Sequence, residues 1–220
     1  MSWDNNYEHI DHRSQWRYKE ILKELPYHSK ILDIGTTKFT MRLAENPWEQ
    51  ITTLDLTGIT QQLCDDARVK LVVHNLENLP LPFEDEAFDV IIFTEVLEHL
   101  ITAPQPIFKE LNRIIKWSGK LIFSTPNLCS LANRWVMLMG KCPFPPAEEQ
   151  FKQGQRGYGH PRLYTMDECV KYIADSGFRF CNRRYIHPEL ESKGPASEMH
   201  HLICKLVPQF RASVFITAMK

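Results

Sequence analysis

The feature that most constrains this chain is a repeated alternation. Short runs rich in apolar and β-branched residues, at Lys30–Ile34, Ile51–Leu56, Val69–His74, Phe88–Phe93 and Lys120–Ser124, are separated by stretches with helical spacing. Strands that alternate with helices build a parallel sheet covered by helices, because each parallel connection must cross over the sheet. The run Phe88-Asp89-Val90-Ile91-Ile92-Phe93 is almost continuously apolar, as a strand buried on both faces requires. Two further runs, Arg179–Ile186 and Met199–Val207, flank the turn-rich Pro188–Ser197 and are expected to pair antiparallel at the sheet edge. The expected fold is α/β: a doubly wound, seven-stranded sheet, mostly parallel with an antiparallel last strand and helices on both faces.

Helix signals fill the gaps. Thr102-Ala103-Pro104 opens a helix with Pro104 near its first position, where a missing N–H costs nothing. Apolar residues follow at Ile107, Phe108, Leu111, Ile114 and Ile115, a stripe that faces the sheet, and Gly119 is expected to stop the helix. Thr165 with Glu168 has capping-box spacing, and its helix runs through Val170 and Ile173 to Gly177. The stretch Pro126–Tyr164 breaks the rhythm. It holds a helix over Leu128–Met139 and then Pro143, Pro145, Pro146, Gly154, Gly157 and Gly159, a pattern expected of a functional lid or mobile loop. The chain thus divides into an N-terminal helical extension (1–29), a first half (30–125), a lid or insertion (126–165) and a C-terminal half (166–220), all within one domain.

Composition removes several function classes. The 220 residues are 43% hydrophobic and 24% charged, which excludes a disordered or fibrous chain. With 26 Lys+Arg against 27 Asp+Glu there is no basic field to bind nucleic acid or anionic lipid. No apolar run reaches the roughly 18–20 residues of a membrane span, and the start, MSWDNNYEHIDHR, lacks the apolar core of a secretory signal. The six cysteines form no CxxC pair, so a reduced, cytoplasmic setting is expected. His9 and His12 form an HxxH without a spaced companion ligand, and no metal is expected. The partner expected is a small-molecule substrate, with the chain a monomer or homodimer.

Two strand ends carry chemistry. The first strand runs through Asp33-Ile34-Gly35-Thr36-Thr37-Lys38-Phe39-Thr40 into a helix. Glycine there lets the backbone approach a ligand, and the helix start offers N–H groups to an anion. Asp55 closes the second strand 22 positions after Asp33, where a carboxylate can accept both ribose hydroxyls of a nucleotide. Together the two point to nucleoside binding.

Further motifs occur in order: Leu79-Pro80, Phe88-Asp89-Val90, Val96-Leu97-Glu98-His99, Arg113-Ile114-Ile115-Lys116-Trp117-Ser118-Gly119, Ser124-Thr125-Pro126-Asn127 and Gly159-His160-Pro161-Arg162-Leu163-Tyr164-Thr165. With Leu32-Asp33-Ile34-Gly35 they resemble a class I S-adenosylmethionine-dependent methyltransferase of the ubiquinone-biosynthesis-like type, methyltransferase type 11, over about residues 30–180. That resemblance implies a Rossmann-like fold and an S-adenosylmethionine cofactor, with S-adenosylhomocysteine as product. By position, Gly35 and Thr36 would lie under the methionine part, Asp55 on the ribose and Leu56 against the adenine. Asn75 would meet the adenine amino edge, and Thr94 and Glu95 the methionine amino group, with Asp33 and Leu76 completing the set. The family usually shows D-x-G-x-G-x-G, whereas only Gly35 is kept here, so this turn must differ: threonine resists positive φ.

His99, one helical turn past Glu95, is the candidate to deprotonate an acceptor hydroxyl. Asn127, His160 and Tyr164 are candidate acceptor-pocket residues, and Trp135, Met137, Leu138 and Met139 a candidate apolar lid. Glu98, Glu148 and Glu149 read as solvated. The chemistry needs no protein nucleophile, since the sulfonium already carries an activated methyl. The leading expectation is methyl transfer to a small molecule, most plausibly at an oxygen of a metabolite or sugar. Its rivals are a non-catalytic relative that keeps the fold with a degenerate cofactor loop and, more remotely, a nicotinamide-dependent reductase.

Overall fold

A computed structural model describes residues 12–26, 28–45, 50–146, 159–187 and 194–220. His9, Glu148, Glu149, Gly154 and Gly157 lie outside the described residues. The elements, in chain order, are α1 (His12–Leu22), β1 (Lys30–Ile34), α2 (Lys38–Ala44), β2 (Gln50–Asp55), α3 (Gln61–Asp66), β3 (Lys70–Val73), β4 (Phe88–Thr94), a 3-10 turn (Leu97–His99), α4 (Pro104–Ile114), β5 (Ile115–Pro126), α5 (Leu131–Leu138), α6 (Met166–Ala174), β6 (Arg179–Ile186), α7 (Pro195–Leu206) and β7 (Ser213–Met219).

The seven strands form one sheet in the order β3-β2-β1-β4-β5-β7-β6. β7 is antiparallel to both its neighbours, and the other pairs are parallel. The doubly wound, mostly parallel fold is as expected, with one reassignment. Met199–Val207 is not the last strand: it falls in α7, and the antiparallel strand is Ser213–Met219, which the sequence reading missed. The apolar residues Met199, Leu202, Ile203 and Leu206 sit at positions i, i+3, i+4 and i+7, a helical period that outweighs apolar content.

Period-two alternation along the central strands feeds two cores. Ile91 and Phe93 of β4 face one side with Leu32, Leu121, Phe123 and Ile216, and α4 and α6 cover that side through Phe108, Leu111, Cys169 and Ile173. Val90 and Ile92 face the other side with Ile31, Ile122 and Phe215, covered by Ile21, Phe39 and Leu43 of α1 and α2. β4 is thus sealed on both faces, as its unbroken apolar run demands.

The caps explain where helices start. Thr165 Oγ1 accepts from the Glu168 N–H at 3.3 Å while Glu168 Oε2 accepts from the Thr165 N–H at 2.9 Å, the reciprocal box that its spacing announced. α4 begins with Pro104 but ends at Ile114, and the chain turns straight into β5. Gly119, expected as its stop, lies inside β5. A Cβ there would stand 2.7 Å from Ile115 Cγ1 and 2.8 Å from the Lys116 carbonyl oxygen, so glycine serves close packing of backbone against backbone.

Candidate functional site

The carboxyl ends of β1, β2 and β3 and the turn after β4 surround a cavity of about 420 Å³. It lies where the strand order reverses between β1 and β4, the point at which an open α/β sheet leaves a crevice for a ligand. Its size falls within the roughly 300–1,000 Å³ of small-molecule sites.

Asp55 is the last residue of β2. Its Oδ2 accepts the Thr36 N–H at 2.9 Å and its Oδ1 the Thr57 N–H at 3.2 Å. A carboxylate has about four lone-pair positions, so these bonds aim it and leave it acceptor capacity. Gly35 forms the floor with φ +88°, and a Cβ there would approach Val96 Cγ2 to 3.4 Å; glycine is the residue that takes this conformation without strain. The walls are apolar: Leu76, Val96 and Leu100 line the interior, and Leu56 (44% exposed) and Ile59 (66% exposed) stand at the mouth. Asn75 lines the cavity too, but its Oδ1 already accepts the Glu77 N–H at 3.0 Å. Glu77 Oε1 in turn accepts the N–H groups of Ile101 and Thr102 at 2.8 and 2.9 Å, tying the loop after β3 to the approach to α4.

The glycine-poor turn after β1 is built differently from a glycine-rich one. Thr37 has φ −134° and caps α2, its Oγ1 accepting from the Phe39 N–H at 3.2 Å, while Thr40 Oγ1 accepts from the Thr37 N–H at 2.9 Å. Among these residues only Gly35 takes positive φ. Threonine hydroxyls and Asp55 therefore take up the amides of Thr36, Thr37 and Phe39 internally.

A second group of side chains borders the cavity at the tip of β4. Glu95 has φ +54°, accepts from Ser124 Oγ at 2.9 Å and pairs with Arg17 of α1 at 2.9 Å. Glu98, expected in solvent, is 1% exposed and accepts from Thr125 Oγ1 at 3.0 Å. Burial first, and then the Glu95 charge, push its carboxyl well above the usual carboxylate range; low dielectric disfavours the charged form. The His99 Nδ1 lies 2.8 Å from the Gly159 carbonyl oxygen. A carbonyl only accepts, so Nδ1 carries the hydrogen and Nε2 of the neutral ring keeps its lone pair. The His160 ring meets the His99 ring edge-on with centroids 4.7 Å apart, and burial, followed by His99, lowers its pKa.

Of the expected site residues, Gly35, Asp55, Leu56, Asn75, Leu76 and His99 line the cavity. Asp33 sits beneath it, 3% exposed, accepting from Thr40 Oγ1 at 2.6 Å. Thr36 contributes its amide and an Oγ1 contact to Thr53 Oγ1 at 3.0 Å, while Thr94 and Glu95 close β4 outside the cavity lining. Asn127 is 1% exposed; its amide donates to the Gln209 and Arg211 carbonyls at 2.9 and 2.8 Å, and its Oδ1 accepts the Cys129 N–H at 2.9 Å, closing a local turn. Tyr164 is buried, and its backbone forms an isolated bridge with Asn127. The candidate lid residues Trp135 and Leu138 project from α5 at 62% and 76% exposure. Thr57, Ile59, His74, Glu77, Val96 and Leu100 also line the cavity; their signal was position alone, in the loops that follow strand ends.

Crevice, strand-end carboxylate and reversal point together are the arrangement expected of a nucleotide-binding α/β domain. Residues 32–123 match the family model for a methyltransferase domain. A Mycobacterium tuberculosis protein named a probable S-adenosylmethionine-dependent methyltransferase is 30% identical over 125 residues, which are 56% of this chain and 38% of that protein; this chain therefore spans well under half the length of that relative. A Thermotoga maritima structure described as a SAM-dependent methyltransferase, possible histamine N-methyltransferase, superposes with TM-score 0.64 at 19% identity, covering 99% of this chain and 96% of that one. The structure of the cyclase SpnF superposes with TM-score 0.62 at 16% identity, covering 96% and 85%. Residues 32–123 are thus similar to methyltransferase domains, and the solved structures share the Rossmann-like fold. The residues present fit S-adenosylmethionine: a carboxylate with acceptor capacity left, a glycine floor that a Cβ would narrow, and apolar walls around a cavity of about 420 Å³.

Proposed function

We propose that the chain transfers a methyl group from S-adenosylmethionine to a small-molecule acceptor, at an oxygen of a metabolite or sugar. The observation that carries this reading is Asp55, aimed by two backbone N–H groups beside an apolar slot. Asp55 would accept the ribose hydroxyls, Leu56 and Leu76 would flank the adenine, and Asn75 would meet its amino edge. Gly35 would pass under the link to the sulfur, with Glu95 near the methionine amino group. Bound there, the sulfonium supplies an activated methyl group. The chain supplies alignment and a dry cavity, and His99 stands in the cavity wall where an acceptor hydroxyl would arrive.

Calorimetric titration with S-adenosylhomocysteine tests this directly. Asp55→Ala should weaken binding more than tenfold, about 1.4 kcal/mol or more; unchanged affinity would contradict the ribose role, and absence of binding at millimolar concentration would defeat the reading. A second reading, a non-catalytic module with a degenerate cofactor loop, is favoured by the internally satisfied amides after β1. The same fold serves a cyclase, and fold alone does not fix chemistry. Cofactor binding without turnover across a panel of hydroxyl and amine acceptors would favour that second reading.

A further inference from the structure

We propose that Glu98, His99 and His160 hold a divalent transition-metal cation in the cavity wall, and that this cation presents the oxygen of a hydroxyl-bearing acceptor. The site stands on its own geometry; the acceptor role rests on the methyl-transfer reading above.

One ligand atom from each of the three lies within 4.8 Å of the others. Ligands about 2.0–2.2 Å from a shared tetrahedral ion stand roughly 3.3–3.6 Å apart, so the side chains must draw in by about an ångström to close on an ion. Glu98 and His99 are adjacent on the 3-10 turn after β4, and His160 arrives from the far side of the cleft. The Gly159 carbonyl already orients His99 through Nδ1–H and leaves Nε2 as the donor atom, the outer-shell arrangement that ligating histidines show.

The electrostatics agree. Glu98 is sealed from water with the Glu95 carboxylate beside it, and Arg17, paired with Glu95, is a cation near both. Two acids thus share one guanidinium, and a bound cation would add positive charge beside them. Two imidazoles and one carboxylate suit Mn²⁺, Fe²⁺, Co²⁺ or Zn²⁺ better than Mg²⁺ or Ca²⁺. Three protein ligands leave coordination positions open, and His99 lines the cavity. A hydroxyl bound to the cation loses its proton to solvent at lower pH, because the metal's charge stabilises the oxyanion; the oxygen stays on the cation.

The test is Mn²⁺ titration of the EDTA-stripped full chain, followed by calorimetry and electron paramagnetic resonance. The cluster His187, His200 and Cys204 also brings ligand atoms within 4.8 Å, so His200→Ala is the control. The expected result is one Mn²⁺ per chain. His160→Ala and the near-isosteric Glu98→Gln should each weaken it at least tenfold, with His200→Ala unchanged. No uptake at millimolar Mn²⁺, or equal affinity in both His160→Ala and Glu98→Gln, overturns the site. S-adenosylhomocysteine titration of the same samples separates the two ideas: metal uptake without nucleoside binding keeps the site and removes the methyl-transfer reading, and the reverse result removes the site alone.

Discussion

Asp33 shows how a single buried carboxyl beneath the cavity shapes stability. Burial, opposed by the Thr40 hydroxyl and aided by the Asp55 charge, raises its pKa to about 7 from 3.8. The folded chain therefore holds this proton more tightly than the unfolded one. The resulting stabilisation is complete below about pH 4 and is lost as pH climbs to 7, at most about 4 kcal/mol. Asp33→Asn keeps an acceptor for Thr40 and removes the titration, so urea unfolding at pH 5 and pH 8 should show the parent losing more stability than the variant. Parallel losses would contradict the assignment. At this scale the sequence was partly readable. Asp55 stood out because a strand end aims its side chain at the crevice. Glu98 did not, because its burial depends on Thr125, 27 positions away in β5, and nothing local distinguishes it from a surface acid.

Elements were more legible than residues wherever their periodicity was local. The α4 stripe and the Thr165–Glu168 box are complete within a few positions, and both helices appear where expected. Gly119 was assigned to the wrong job because a glycine after an apolar stripe looks like a stop, whereas its reason is the close approach of Ile115, Lys116 and, across the bulge between Phe88 and Val90, Asp89. That reason gives a prediction. The Asp89 carbonyl oxygen also lies 3.0 Å from a Cβ at this position, so Gly119→Ala should destabilise the fold by about 2–3 kcal/mol. Denaturant midpoints would register this, and a change under ~0.5 kcal/mol would mean that the strand relaxes freely. β7 escaped notice because its pairing with β5 and β6 is entirely long-range, while Met199–Val207 offered more apolar residues close by.

Across the whole molecule, α1 is joined to the far edge of the sheet. Arg184 of β6 donates to Glu20 and Glu24 at 3.0 Å each, and its guanidinium lies 4.4 Å from the Phe215 ring centroid. The geometry is planar and two-pronged, so Lys should not substitute for Arg. Arg184→Ala and Arg184→Lys should both speed hydrogen exchange in α1, with a cost of about 1–3 kcal/mol; full protection in the Lys variant would show that charge alone suffices. Among the described residues no helix is long and apolar enough to cross a membrane, and α1 spends its partly buried face on the domain itself.

That attachment bears on how the protein can be handled. Arg17 reaches from α1 to Glu95, so the segment ahead of β1 furnishes part of the charge balance at the rim of the crevice. Trimming the gene to begin at Lys30, a natural choice for anyone isolating the sheet, would leave two acids facing each other with their guanidinium neighbour gone. Binding measured on such a fragment would report the acidity of an altered rim rather than the properties of the intact chain.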